Sequence, residues 1–261
     1  MTLRLLRAWI AWLWSGWSAA AGLALLVAGW QLAAERLGPL LLPAPLDAFA
    51  RLYSLLEAGV LWPEFLVTAR RALAGFALAL GIGCAAGVLA GISRAGALLA
   101  RPLVTVLLGM PPIAWLVLAL LWLGSGDGTP VFTVCAAALP VVFGATLQGM
   151  LTRDTALSAM ARAFGLSWRP RVIEVELPHL LAWLFPAATT ALGTSWKVAV
   201  MAELLTSSDG IGAALADART QLDMTTALAW VLCVLLALLL VEYGLLEPVK
   251  RELERWREVA R

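Results

Sequence analysis

Six stretches of about twenty residues, Trp17–Ala34, Leu73–Ile92, Pro102–Leu123, Pro130–Leu151, Leu180–Leu205 and Ala227–Leu246, are apolar along their length and nearly free of charge. Crossing the hydrocarbon of a bilayer takes roughly 20 such residues in a helix, and a helix satisfies its own backbone hydrogen bonds there. The pattern predicts an all-α integral membrane protein of about six transmembrane helices. Composition agrees: 62% of the chain is hydrophobic and 14% charged, against roughly 25% charged in soluble domains. The connections left over are short, so there is no room for a separate soluble catalytic domain. A formal charge of +2, with basic residues dispersed, argues against a nucleic-acid partner.

Arg4 and Arg7 precede the first apolar run as in a secretory signal, but the run continues to Ala34, longer than the 7–15 residues of such a signal. It is read as the first span. An even number of spans puts both termini on one side. With the amino terminus inside, inner segments hold thirteen Lys/Arg and outer segments five, namely Arg36, Arg51, Arg70, Arg71 and Arg219. The excess of positive charge favours cytoplasmic termini.

Cys84, Cys135 and Cys233 lie in apolar stretches without CxxC spacing, which suits small packing residues and no metal site. Of thirteen tryptophans, Trp9, Trp12, Trp14, Trp17, Trp62 and Trp256 suit the headgroup layers. Gly83, Gly87 and Gly91 recur every four residues and line one helical face, a surface where another helix can approach closely. His179, the only histidine, has no partner for a zinc-hydrolase motif and reads as a helix-start packing residue.

The segment from Arg153 to Pro178 is the longest inner loop. Asp154 can cap a short helix, Leu157, Met160, Ala161 and Phe164 follow at i, i+3, i+4, i+7 spacing, and Gly165 supplies a stop. The apolar face of this helix either packs on the chain's own helix ends or enters a groove on a partner protein.

At this loop the sequence resembles the inner-membrane permeases of binding-protein-dependent ABC importers, whose signature is Glu-Ala-Ala, three residues, Gly, nine residues, then Ile-x-Leu-Pro. Here Ala159-Met160-Ala161 precedes Gly165 by the same interval, and Val175-Glu176-Leu177-Pro178 follows at the same distance. Ala159 stands for the family's Glu, Met160 for Ala and Val175 for Ile, so any ionic contact of that Glu is missing here. Met110-Pro111-Pro112-Ile113-Ala114-Trp115 with Leu121-Trp122-Leu123-Gly124 resembles the nitrate/sulfonate/taurine branch, although Val117 and Leu123 replace that branch's usual Pro and Phe. Ala202-Glu203-Leu204 with Gly210-Ile211-Gly212 resembles the same branch. The resemblance spans residues 65–258, leaving 1–64 as an amino-terminal segment, first span and outer loop, and 259–261 as a tail.

The resemblance implies a MetI-like, type I permease fold in a bacterial inner membrane, a permease homodimer, two ATPase subunits docked on the 153–178 loop, and a periplasmic binding protein that delivers a small solute. It implies coupling to the ATPase through Leu157, Ala159, Met160, Ala161, Phe164, Gly165, Leu177 and Pro178. No G-x-x-x-x-G-K-[ST] phosphate loop occurs in the chain, in keeping with the resemblance, which implies that ATP and Mg belong to the partner ATPase and that the chain itself is expected to bind no cofactor and to be no enzyme.

Pro111-Pro112 lacks two backbone donors and must distort the third span, either as part of a translocation path or as a structural kink. Lys197, about 25 Å along the fifth span, either attracts an anion in the cavity or pairs elsewhere; Glu203, six residues on, is not its partner by helical geometry. Met110, Pro111, Pro112, Trp115, Trp196, Lys197 and Glu203 are the residues expected along the path or its gate. The solute is expected to be a nitrate-, sulfonate- or taurine-like anion; a heterocycle is the alternative, followed by an intramembrane enzyme or a scaffold subunit.

Overall fold

A computed structural model describes residues 21–241, and every regular element among them is helical. They are a helix over 21–37 (α1), α2 Pro45–Glu57, α3 Leu61–Gly91, α4 Arg94–Gly109, α5 Pro112–Leu123, α6 Gly128–Leu151, α7 Thr155–Ala163, α8 Trp168–Arg171, α9 Leu177–Thr206, α10 Ile211–Thr220 and α11 Met224–Leu239. A π turn, Val172–Glu176, joins α8 to α9. The helices fall into two compact units, residues 21–60 with Asp217–Cys233, and Leu61–Ala216 with residues 234–241.

In the first unit the indole of Trp30 on α1 donates to the carbonyl of Pro43 at 3.0 Å. Arg51 of α2 donates to the Thr226 hydroxyl at 2.8 Å. Asp223 caps α11 by accepting from the Thr226 amide at 3.0 Å, and the Thr226 hydroxyl and amide hold its carboxyl below the usual range.

The second unit is built on α3 and α6. A Cβ added at Gly75, Gly83, Gly87 or Gly91 would run into Val134, Val142, Thr146 or Met150 respectively. The partners keep one register in the same chain direction, so the two helices run parallel with backbones in close approach. Ala79 and Ala138, both fully buried, sit in the same seam. The predicted glycine face is thus a helix-packing surface, and it starts two turns earlier than Gly83. Around the same core, Gly149 of α6 meets Leu180 and Trp183 of α9 while Ala138 shares a cluster with Ala191, so α9 runs antiparallel to α6. The stripe of small residues lets dispersion contacts assemble the bundle where lipid gives no hydrophobic drive.

Several boundaries differ from the expectation. The second span starts at Leu61 rather than Leu73, because Arg70 and Arg71 find acidic partners and need not lie in a loop. The third span is not one helix: α4 begins at Arg94, eight residues before Pro102, and meets α5 at 91°. α2 and α10 occupy segments expected to be loops. Among the described residues α3 and α6 alone are long and apolar enough to cross a membrane unbroken, and the bent pairs α4/α5 and α8–α9/α10 bring the number to four. α11 is apolar but only 16 residues long. Arg4, Arg7, Trp9, Trp12, Trp14, Trp17, Trp256 and the end of the sixth span lie outside the described residues.

Candidate coupling helix and translocation path

The 153–178 loop, the α4–α5 break and α9 all belong to the second unit. α7 is bounded by local chemistry at both ends. The Asp154 carboxylate accepts from the amides of Ala156 and Leu157 at 2.8 and 3.0 Å, which satisfies two of the orphan donors of the first turn. At the other end the Leu166 amide reaches back to Ala161 O and the Gly165 amide to Arg162 O, each at 3.0 Å, with Gly165 at φ 76°. That is a Schellman stop, in which glycine takes the left-handed position. A Cβ at Gly165 would meet nothing within 4 Å, so the residue is required there by backbone conformation and not by space.

Between these caps the helix is anchored by one small side chain and displays large ones. Ala161 is buried, whereas Leu157, Met160 and Phe164 are 41, 52 and 78% exposed. Ala159 is exposed too. Behind α7, Glu176 lies 3.7 Å from both Arg153 and Arg171, and Arg153 Nε donates to Met150 O at 2.9 Å, bracing the loop against the end of α6. Leu177 and Pro178 are exposed at the first turn of α9. His179 is hydrogen-bonded to the Thr152 hydroxyl at 3.2 Å, a helix-end contact.

The Met110-Pro111-Pro112 segment makes a complete break. Met110 ends α4 in extended conformation, Pro111 is the residue before α5, and Pro112 opens α5, a position where the missing N–H is not needed. The Trp115 indole nitrogen on α5 and that of Trp196 on α9 are enclosed with no acceptor among the described residues; the Trp196 ring rests 5.3 Å from Phe65. Lys197 is exposed, and no carboxylate among the described residues pairs with it. Its neighbour Trp196 faces the packed side of α9, so the two adjacent residues serve different surfaces.

Glu203 lies elsewhere, in a buried charge cluster at the far end of α9. Fully buried, it accepts from the Thr68 hydroxyl at 2.7 Å, from Arg71 Nη1 at 3.0 Å and from the Gly212 amide at 3.1 Å. Arg71 is 2% exposed and also donates to Asp127, to Asp209 Oδ1 at 2.6 Å and to the Asp209 carbonyl at 2.9 Å. Arg70 pairs with Asp127. The Gly210 and Ile211 amides at the start of α10 donate to Glu64 and Thr68. One guanidinium thereby joins α3, the α5–α6 connection and the α9–α10 turn, lining a polar cleft of about 480 Å³ with Ser125, Ser207 and Ser208. Bonding to Arg71 lowers the Asp127 carboxyl below its ordinary range.

Residues 77–246 match the family described as the inner membrane component of binding-protein-dependent transport systems. The chain belongs to this family. Among similar proteins, SsuC of Escherichia coli (strain K12), named as an aliphatic sulfonates transport permease, is 32% identical over 74% of this chain and 74% of its own length. TauC of the same organism, the taurine transport system permease, is 25% identical over 89% of this chain and 86% of its own length. An inward-facing structure of the MetNI methionine ABC transporter shares the fold, with a TM-score of 0.59 and 21% identity over 72% of this chain and 93% of that one. The chain is a multi-pass inner-membrane permease of ABC type, not an enzyme.

Of the residues expected to act in this permease, the coupling set is gathered on and beside one projecting helix. The expected path residues divide: Met110, Pro111, Pro112 and Trp115 share the α4–α5 break, Trp196 and Lys197 lie along α9, and Glu203 sits in the charge cluster. Sequence reading missed Arg71, Thr68, Asp127 and Asp209. Two adjacent arginines at the edge of the second apolar run, and an Asp-Gly pair just before the fourth, were the available signal.

Proposed function

We propose that this permease forms the translocation path for a small anionic solute, of the sulfonate or taurine class, delivered by a periplasmic binding protein. ATP and Mg act in a separate ATPase subunit that docks on the 153–178 loop, and two copies of the chain assemble around the path. The observation that carries this reading is α7: a nine-residue helix, fixed at both ends, that presents Leu157, Met160 and Phe164 to its surroundings. Such a face is a usual unit of helix-in-groove recognition. ATP binding to the partner would favour one of two packings of the permease and so switch access from one side to the other.

The anionic solute is supported by Lys197, an exposed cation on a membrane helix with no carboxylate of its own among the described residues, and by the sulfonates and taurine named for the relatives SsuC and TauC. The break at Pro111-Pro112 supports a path beside α5, since non-helical backbone at membrane depth is tolerated where protein or a water-filled cavity surrounds it. The test is reconstitution with the cognate ATPase and binding protein. ATP hydrolysis that depends on the permease and rises with the loaded binding protein is the expected result; hydrolysis indifferent to both overturns the proposal.

A further inference from the structure

α2 presents three different faces. Pro45, Ala48 and Leu55 are buried. Asp47, Arg51 and Ser54 form a polar side, and Arg51 is tied to Thr226. Between them on the helical wheel, Leu46, Phe49, Tyr53 and Leu56 recur at i, i+3, i+7, i+10 and are all exposed, Leu46 at 78% and Tyr53 at 60%. A helix with apolar and polar sides, lying flat, is the arrangement of an interfacial membrane segment.

A second observation ties the start of this helix to α1. α1 ends at residue 37, yet the Trp30 indole holds the Pro43 carbonyl at 3.0 Å, two residues before α2 begins. Trp30 lies seven residues back from the end of α1, about 10 Å along its axis. The chain leaves α1, turns at Gly38 (φ 81°), and is pinned back alongside the same helix. Tryptophan is the residue that settles at the headgroup boundary, and Gln31 and Glu35, bonded to each other on the exposed side of α1, mark the polar edge of that layer. The start of α2 is therefore held at the height where apolar helix gives way to polar helix.

We infer that α2 is an interfacial helix whose Leu46, Phe49, Tyr53 and Leu56 are covered by lipid of the leaflet into which α1 emerges. The occupant is acyl chain and headgroup, not protein: the polar side turns to water or to Thr226, and Leu37, Leu40 and Leu41, in the stretch that leads into α2, are exposed apolar residues as well. The inference does not depend on which solute is carried or on how the ATPase docks.

The experiment is site-directed spin labelling of the full chain in nanodiscs of phosphatidylethanolamine and phosphatidylglycerol, with labels at 46, 49, 53 and 56 and, for contrast, at 47 and 54. Oxygen, which concentrates in lipid, is expected to relax the first set several-fold more than a water-soluble nickel chelate does, and the second set the reverse. Equal nickel access to both sets, or labels at 46, 49, 53 and 56 that neither reagent reaches, overturns the inference, the first by placing the stripe in water and the second by covering it with protein. Because labelled variants can fold poorly, a diazirine-bearing phospholipid is photolysed with the unmodified chain. Adducts on the 45–57 peptide at a yield comparable to those on α3 are expected, and their absence contradicts lipid contact.

Discussion

Arg71 is the residue on which the far end of the second unit depends. A buried cation surrounded by Glu203, Asp127 and Asp209 is a poor source of net stability compared with packed hydrocarbon, but removing one partner strands the others. Arg71→Met leaves Glu203 buried without its countercharge and is expected to cost about 3–5 kcal/mol, read as a large fall in the thermal midpoint of the reconstituted protein. Glu203→Gln leaves Arg71 with two aspartates and should cost distinctly less; equal losses would show that Glu203 alone carries the cluster. Acid acts on the same contacts. Asp127 has a folded pKa below its unfolded value, so its contribution is fully present above the ordinary aspartate range and is lost as pH falls through the lower folded value. The midpoint difference between the wild type and Asp127→Asn should stay constant from pH 8 to about pH 5 and begin to shrink only once the pH falls below the ordinary aspartate range, about 4. A difference that instead shrinks between pH 7 and 6 contradicts this assignment. At the path, Lys197→Met is expected to weaken uptake of a sulfonate at least tenfold while leaving the protein folded, and unchanged affinity removes Lys197 from solute recognition.

Among the elements, α3 and α6 make the tightest pair. A Cβ at Gly87 would come within 2.5 Å of Thr146 Cβ, too close for any rotamer adjustment to relieve. Gly87→Val should therefore force the helices apart and cost about 1–3 kcal/mol, whereas Gly81→Val, on a face with nothing within 4 Å, should be nearly silent in the same melting assay. α7 was legible in the sequence because its cap, its apolar spacing and its glycine stop are all local, within twelve residues of one another. The Arg71 cluster was not, because its partners stand 56, 132 and 138 residues away and no local pattern announces a contact of that span. The proline pair announced a break in the third span; that the two halves meet at 91° depends on how α4 and α5 each pack against α6, which no local rule supplies. α2 was hidden for a different reason: thirteen residues with an amphipathic face are too short and too polar to register as a span.

For the whole molecule, coupling requires that a change imposed on α7 reach the α5 break and α9. The route is physical: Glu176 braces the loop between Arg153 and Arg171, the π turn runs on into α9, and α9 packs along α6. Gly165→Asp strains the left-handed stop and adds charge beside Phe164, so it should leave ATP hydrolysis running in the assembled importer while uptake falls by an order of magnitude or more. Uptake in step with hydrolysis would show the glycine stop to be dispensable. The most direct test of coupling through α7 is a cysteine at Met160, crosslinked in the assembled importer under resting and ATP-bound conditions. Capture of the ATPase subunit, with a yield that changes between the two conditions, is the predicted result; a Met160 position that captures no ATPase in either condition contradicts it.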